Sequence, residues 1–189
     1  MIATPQALLG IRTRARDDRA TARVRVLVCA GTGCIANGAA EVLARFQALL
    51  GPDAVACRHE AGAQVDHTGC HGFCERGPLV RLEGRDADIL YTRVRVEDVP
   101  EIVERTLGRG EVIERLLYVN PADGARCRNE AEIPFYARQT RTALANCGHV
   151  NPDRIEDYLA DDGYRALAAV LIGAPAGSCQ TVRTADGVV

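Results

Sequence analysis

The chain has 189 residues and a formal net charge of −2, with 47% hydrophobic and 25% charged residues. This balance is typical of a globular protein and offers no basic surplus for nucleic acid or for an anionic membrane. Since no apolar run reaches the roughly 20 residues that a transmembrane helix needs, we expect a cytoplasmic protein without direct membrane insertion.

The first 21 residues combine a short apolar patch with a mixture of Arg and Asp. A secretory signal needs a longer apolar region and a small-residue cleavage site, and Asp17 and Asp18 are unlike a mitochondrial transit peptide. We therefore predict a short amphipathic N-terminal helix over residues 1–21.

The next segment, VRVLVCAGTGCIANGAAEVLARF, has the order strand, glycine-rich loop, helix. The β-branched run Val24–Val28 predicts a buried strand. We expect Asn37 to cap the following helix, which has apolar residues at helical spacing and ends at residues 51–53. A second short strand is predicted over Ala54–Cys57.

Two apolar runs, Leu79–Leu82 and Ile89–Val94, flank Gly84 and predict a β-hairpin. Helical spacing predicts a helix over Val96–Leu107, with one apolar face. The order β-α-β, hairpin, helix suits a small sheet with helices packed on it. The prediction is an α/β, thioredoxin-like domain over residues 22–118.

The chain beyond this domain has weaker patterns. The run NPADGARCRNEAE is rich in turn residues, so residues 119–172 are predicted to begin with a linker. Two helices are expected to follow it: Phe135–Asn146, ended by a left-handed Gly148, and a second helix that starts at Asn151. Residues 173–189 lack periodicity and are predicted to be unstructured.

Four of the eight cysteines form two close pairs. Cys29 and Cys34 have four residues between them, and Cys70 and Cys74 have three. Four thiolates can close a tetrahedral zinc site or hold a [2Fe-2S] cluster with two sulfurs on each iron. The spacing leaves both open but favours the larger cluster, because the loops are longer than the common C-x₂-C zinc knuckle. The other four cysteines are interpreted as packing residues: Cys57, Cys127, Cys147 and Cys179.

Glycines surround both pairs. Gly31 and Gly33 lie inside the first loop, and the second is surrounded by Gly69, Gly72 and Gly77. Backbone without a Cβ lets N–H groups approach a sulfur-rich anion. The first loop therefore suits an inorganic cluster better than a nucleotide phosphate, because the Lys of a phosphate loop is missing.

Two histidines, His67 and His71, flank Cys70. Histidine can bind zinc. We interpret both as hydrogen-bonding neighbours of the cluster or as exposed loop residues.

Several segments carry a family resemblance: VCAGTGCIANGA, TGCHGFCERGPLVRL, YTRVRVEDVPEIVE and GEVIERLLY. They resemble the N-terminal thioredoxin-like [2Fe-2S] ferredoxin domain of the NADH-binding flavoprotein (diaphorase) subunits of NADH:quinone oxidoreductase and of NAD-linked hydrogenases and formate dehydrogenases. The segment IPFYARQTRTALANCGHVNPDRIEDYLADDGYRALAAVL resembles the helical lead-in before their flavin domain. The resemblance covers about residues 22–172, and it implies a [2Fe-2S] cluster with these ligands: Cys29, Cys34, Cys70 and Cys74.

The resemblance ends before the glycine-rich loop that binds FMN and NADH in this family. We therefore expect a truncated or split member that binds neither FMN nor NAD and is not catalytic alone. The predicted function is that of an electron-transfer module, working with other subunits of an NAD-linked oxidoreductase complex. Apolar positions predicted to face such a partner are Ile155, Tyr158, Leu159, Leu167 and Val170.

Two other functions are considered. A zinc-stabilised structural or protein-interaction domain without a redox role would use the same cysteines. A complete NADH dehydrogenase would oxidise NADH when FMN is added, and we expect no such activity from this chain.

Overall fold

The computed structural model describes residues 5–51, 63–84, 87–168, 183–184 and 187–188. The chain divides into two compact units. The larger unit is Thr21–Asn151, and the smaller one combines Met1–Ala20 with Pro152–Val189. No helix within the described residues is long and apolar enough to cross a membrane.

A mixed four-stranded sheet forms the centre of the larger unit. Its strands are β1 (Val24–Cys29), β2 (Ala63–Thr68), β3 (Val80–Gly84) and β4 (Asp88–Tyr91). They lie in the order β2-β1-β3-β4, with β2 parallel to β1 and the other neighbours antiparallel. The predicted first strand and the predicted hairpin are confirmed, as is the α/β class.

The central strand β1 is buried at all six positions, as its β-branched sequence predicts. Two helices follow it, α2 (Thr32–Ala36) and α3 (Ala39–Leu50). The prediction that Asn37 caps the long helix is wrong. Gly38, with φ of 94°, is the residue before α3, whereas the Asn37 side chain donates a hydrogen bond back to the carbonyl of Gly33 at 2.7 Å. The local side-chain bond within α2 competes with capping of the next helix.

Strand β2 was not predicted. Its sequence, AQVDHT, has a weak pattern because β2 is an edge strand and only two of its residues, Asp66 and Thr68, are buried. The strand predicted over Ala54–Cys57 lies outside the described residues.

The predicted helix over Val96–Leu107 is confirmed as one continuous helical segment in three parts. A 3₁₀ turn (Val96–Asp98) leads into one α-helical turn, α4 (Val99–Glu101), and then into a wider π-helical stretch (Ile102–Gly108). Its apolar face is buried as expected, at Val99, Ile102, Val103 and Leu107.

The turn-rich run after residue 118 is folded rather than linker-like. Its turn residues connect two short antiparallel strands, β5 (Tyr118–Val119) and β6 (Arg126–Cys127). Cys127 is buried, as predicted, and its Sγ lies 3.3 Å from the carbonyl oxygen of Glu132. The thiol therefore helps to pack this segment.

Both predicted helices near the C-terminal end of this region are wrong in extent. The first is the short α5 (Pro134–Ala137), followed by turns. The second does not start at Asn151, because that side chain is buried and donates to the Asp66 carboxylate. A tertiary hydrogen bond has replaced the expected cap, and the helix α6 covers only Ile155–Ala160.

The smaller unit contains α6 and all but the last residue of α1 (Pro5–Thr21). A helix is thus present near the N-terminus, but the separation of its apolar and polar residues is weaker than the predicted amphipathic helix requires. Arg16 Nε donates to the carbonyl of Ala160 at 2.7 Å, and Arg19 Nη1 pairs with Asp161 at 2.9 Å. Leu159 is buried, so the prediction that it faces a partner is wrong, whereas three of the other positions predicted to do so are exposed: Ile155, Tyr158 and Leu167. Val170 lies outside the described residues.

The predicted unstructured tail over residues 173–189 lies mostly outside the described residues. Within it, β7 (Arg183–Thr184) pairs antiparallel with β8 (Gly187–Val188).

Candidate metal centre

The two cysteine loops leave the sheet at the same edge. Cys29 is the last residue of β1 and pairs in register with Thr68, the last residue of β2. Because β1 and β2 are parallel, the loop with Cys34 and the loop with Cys70 begin side by side. The N–H of Ala30 donates to the carbonyl of Thr68 at 2.9 Å, which joins the two loops at their first residues.

Glycines of the first loop lie against cysteines of the second. A Cβ placed on Gly31 would be 3.0 Å from the Sγ of Cys70, and one on Gly33 would be 3.0 Å from the Cβ of Cys74. Any larger residue at these positions would push the second loop away. The glycines therefore have a specific role, which is to let the two cysteine loops approach.

The contact is reciprocal. A Cβ on Gly77, three residues after Cys74, would lie 2.6 Å from the Sγ of Cys34. The structure thus brings all four predicted ligands into one interlocked pair of loops. The loops form a cradle that lacks Cβ atoms where the sulfurs lie, which fits the binding of a sulfur-rich group.

The sulfurs of the second pair have the separation of two ligands on one metal. The Sγ atoms of Cys70 and Cys74 are 3.5 Å apart. Two thiolates on one tetrahedral ion, each about 2.3 Å from it, would be about 3.8 Å apart. In addition, the N–H of Gly72 donates to the Sγ of Cys70 at 3.3 Å, a hydrogen bond that stabilises a thiolate.

The first pair is more deeply buried than the second. Cys29 and Cys34 are both 0% exposed, whereas Cys70 and Cys74 are classed among the exposed residues. A group held by all four would therefore have one side enclosed by protein and one side open to a partner. All six cysteines in the described part of the chain are free thiols.

The thiols are electrostatically coupled within each pair. A hydrogen bond with Cys34 lowers the pKa of Cys29 to about 5, against the effect of burial, with help from backbone N–H groups of Gly31 and His71. The same hydrogen bond raises the pKa of Cys34. In the second pair, the hydrogen bond between Cys70 and Cys74 raises the pKa of Cys74. The raised pKa values of Cys34 and Cys74 favour their protonated forms, and a positively charged metal would displace these protons.

The charges of the two pairs also act on each other. The charge of Cys74 contributes to the raised pKa of Cys34, and the charge of Cys29 contributes to that of Cys74. The pairs are thus close enough to repel as thiolates, and a metal core would relieve this repulsion. The described residues contain no group of three or more His, Cys, Asp or Glu side chains that could hold a single metal ion.

His71 is a buried neighbour of the second pair and not an exposed loop residue. Its Nε2 lies 3.2 Å from the hydroxyl of Thr68, and its Nδ1 lies 3.1 Å from the carboxylate of Glu130. Both ring nitrogens are thus engaged by hydrogen-bonding partners. Gly148 covers the ring so closely that a Cβ there would be 2.7 Å from His71 Cε1.

His67 is the second predicted neighbour, and it lies on β2. Its ring Nδ1 is 3.5 Å from the side-chain nitrogen of Asn151 and 3.9 Å from the carboxylate of Asp66. These contacts hold the histidine ring in a polar group at the edge of the sheet.

Sequence reasoning missed the residues that hold the second loop from outside. Glu130, besides its bond to His71, pairs with Arg81 at 3.2 Å. Phe135 stacks on Phe73, which lies between the two cysteines, with ring centroids 4.8 Å apart. No local pattern identifies such contacts, because His71 and Glu130 are 59 residues apart along the chain.

Comparison with known proteins gives a family match. Residues 16–107 match the family model described as thioredoxin-like [2Fe-2S] ferredoxin. A [2Fe-2S] ferredoxin of Clostridium pasteurianum is 44% identical over 54 residues, 28% of this chain and 49% of that one, so the chain spans about half the length of this relative. A protein of Thermotoga maritima is 32% identical over 85 residues, 45% of this chain and 97% of that one.

Two further similarities concern a larger enzyme and a solved structure. A subunit of the NADP-reducing hydrogenase of Solidesulfovibrio fructosivorans is 49% identical over 39 residues, which cover 21% of this chain and 8% of that subunit. The thioredoxin-like [2Fe-2S] ferredoxin of Aquifex aeolicus is 31% identical in a crystal structure of its wild type. That match covers 49% of this chain and 93% of the other, with a TM-score of 0.41.

Proposed function

The chain belongs to the thioredoxin-like [2Fe-2S] ferredoxin family, and from this premise we propose that it is an electron-transfer module of an NAD-linked oxidoreductase. Its fold is thioredoxin-like and its cofactor is a [2Fe-2S] cluster. When bound, the cluster supplies a centre that accepts and releases one electron at a time.

The proposed ligands are Cys29, Cys34, Cys70 and Cys74. The observation that carries the assignment is the reciprocal contact of Gly31 with Cys70 and of Gly77 with Cys34. Two loops that were merely neighbours would have no need for a missing Cβ at the sulfurs of Cys70 and Cys34. Buried Cys29 and Cys34 would exclude water on one side, and exposed Cys70 and Cys74 would leave the other side accessible.

The proposed partner is a flavin-carrying subunit of the same complex. The similarity to a hydrogenase subunit supports this, as do three half-exposed apolar side chains in the smaller unit: Ile155, Tyr158 and Leu167. An isolated protein would expose them to water, so we expect self-association or poor solubility without the partner. A monodisperse monomer in size-exclusion chromatography would contradict this part of the proposal. The proposal also includes a cytoplasmic location and no FMN or NAD on this chain.

Anaerobic purification tests the cofactor and separates the proposal from the zinc alternative. We expect a red-brown protein with two irons and two acid-labile sulfides per chain, which bleaches with dithionite. Colourless protein with one zinc per chain would select the zinc-stabilised domain. NADH oxidation after addition of FMN would contradict the expected absence of a flavin site.

A further inference from the structure

A surface cavity of about 380 Å³ lies beside the turn that carries Cys74. Its lining is dominated by charge and includes four arginines and two acids, at Arg76, Arg93, Arg95, Arg115, Glu97 and Asp98. The lining is thus positive by two charges, whereas the whole chain has a net charge of −2. Two acids just outside the lining also pair with its arginines, Glu75 with Arg76 and Glu101 with Arg115, so the surplus is carried by the remaining arginines.

The positive charge is only partly neutralised inside the cavity. Asp98 is buried and pairs with Arg115 at 2.7 Å, and Glu101 pairs with the same guanidinium. Arg76 pairs with the adjacent Glu75 at 3.2 Å. Arg95 has a loose pair with Glu97 at 3.7 Å, in which both side chains are largely exposed. None of the ion pairs among the described residues includes Arg93. Arg93 is therefore available to an anion from outside, and Arg95 is held only by an exposed, loose pair that an anion could displace.

Arg93 is held in an unusual backbone conformation. Its φ of 53° is in the left-handed region, which residues other than glycine rarely adopt. Its N–H donates to the carbonyl of Arg76 at 2.8 Å, which fixes the two arginine backbones beside each other. A strained position that carries an arginine without an acidic partner is a reason to look for a binding role.

The cavity is physically continuous with the cysteine turn. Arg76 belongs to the same 3₁₀ turn as Cys74, and its guanidinium lies 5.3 Å from the ring centroid of Tyr118. That ring in turn meets Phe73 edge-on, with centroids 5.3 Å apart, and Phe73 lies between Cys70 and Cys74. A partner bound in the cavity would therefore be next to the accessible side of the proposed cluster.

We propose that this cavity docks carboxylate side chains of an acidic electron-transfer partner protein, an inference that rests on the proposed function. Guanidinium groups bind carboxylates through paired hydrogen bonds, and complementary charge steers a partner to the correct surface and speeds association. Charge complementarity next to the exposed cysteines is the observation that favours a redox protein as the occupant.

Two redox reagents of opposite charge test the inference. The full-length, cluster-loaded protein is reduced with dithionite, freed of excess reductant and mixed in a stopped-flow instrument with hexacyanoferrate(III) or with tris(phenanthroline)cobalt(III). In each case one electron passes from the protein to the complex, giving iron(II) or cobalt(II). We expect the double variant Arg93→Glu/Arg95→Glu to react about tenfold more slowly with the anionic complex at low salt and faster with the cationic one.

The matched control is Arg45→Glu/Arg109→Glu, which changes the net charge equally at two exposed arginines outside the cavity. This control should be slowed much less with the anionic complex than the cavity variant, because its added negative charges lie away from the cavity. In a measurement that needs no variant, the wild-type rate with hexacyanoferrate should fall as salt is added, because salt screens the attraction. Equal rates for the two double variants, or a wild-type rate that does not respond to salt, would overturn the inference.

A binding experiment keeps this inference separate from the proposed function. Fluorescein-labelled octaglutamate serves as the probe, followed by anisotropy, with inorganic pyrophosphate as the competitor. We expect the peptide to bind the wild type and the control but not the Arg93→Glu/Arg95→Glu variant. Tighter binding of pyrophosphate than of peptide would replace the docking site by a phosphate site. Absence of iron from the wild type would instead refute the proposed function, and the peptide result would still decide whether the cavity binds carboxylates.

Discussion

Gly77 lies directly against the sulfur of Cys34, although 42 residues of sequence separate them: a Cβ on Gly77 would be 2.6 Å from that Sγ. The same position would be 3.3 Å from the carbonyl oxygen of Cys74. The glycine therefore touches one cysteine from each pair. A substitution at Gly77 therefore tests whether the two loops must lie this close together.

We expect Gly77→Ala to lower the iron and sulfide content of the purified protein. The added methyl must displace the Cys34 sulfur or the Cys74 backbone, and overpacking of this kind costs about 1–3 kcal/mol. The control is Gly69→Ala, next to Cys70, where a Cβ would meet no atom within 4 Å. Iron and sulfide analysis with the visible spectrum measures the effect, and equal cluster content in the two variants would contradict the predicted cradle.

We expect Cys70→Ser to remove most of the visible absorbance of the protein, because it deletes one of the four proposed thiolate ligands. Cys127→Ser is the matched control. Cys127 lies in the same unit as Cys70 but is buried, and its Sγ contacts the carbonyl oxygen of Glu132, to which a serine hydroxyl can also donate. Metal analysis of both variants decides the point, and loss of iron from both alike would argue against Cys70 as a ligand.

We expect Gly148→Ala to reduce the free energy of unfolding more than a similar change elsewhere. Gly148 has φ of 93° and covers the His71 ring, so alanine there suffers both backbone strain and a clash. The control Gly124→Ala has φ of 73° with no atom within 4 Å of the added Cβ, so it reports the strain alone, about 1–2 kcal/mol.

The difference between the two variants in urea unfolding should be about 1–3 kcal/mol, the range for overpacking. Equal losses of stability would show that the His71 ring can move away from the added methyl group without a loss of folding free energy.

Stability should fall in acid partly because of Glu83. A hydrogen bond from His149, together with the charges of Arg81 and Arg25, holds the pKa of Glu83 below its usual value of 4.5 despite partial burial. A carboxyl group with a lowered folded-state pKa adds stability that is present above the unfolded pKa. This contribution is lost as the pH falls from about 4.5 through the folded-state pKa.

We therefore expect Glu83→Gln to be less stable than the wild type at pH 7 and to lose less stability on acidification. Urea unfolding at pH 7 and at about pH 3.5 measures this difference. Glu75→Gln is the control, since Glu75 is 71% exposed and pairs with the adjacent Arg76. An unchanged acid dependence in Glu83→Gln would show that this carboxylate does not contribute.

The amino-acid sequence predicted those features that depend on short stretches of chain. The β-branched run of β1, the hairpin of β3 and β4 and the apolar face of the helix after residue 96 all follow from local periodicity. Cysteine and glycine also indicate a site without any tertiary information. A thiol has few roles in a globular chain, and the absence of a Cβ is a property of glycine itself. The four proposed ligands could thus be named from the spacing of the cysteines and the resemblance of their loops.

Predictions failed where long-range contacts replaced local preferences. Asn151 has the sequence context of a helix cap, but it donates to Asp66 on β2, 85 residues away. The turn-rich run after residue 118 resembles a linker, yet it supplies Glu130 to His71 and buries Cys127. In both places the energy of a buried tertiary contact exceeds a weak local propensity.

By itself, then, the sequence determined which thiols are paired along the chain and which strand precedes them, since both follow from residue chemistry and near neighbours. Only the tertiary structure decided that the two loops meet. That meeting depends on the parallel pairing of β1 with the weakly patterned edge strand β2, which aligns Cys29 with Thr68. The arginine-lined cavity arises in the same way, because its charges come from separate turns that lie close together only in the folded chain.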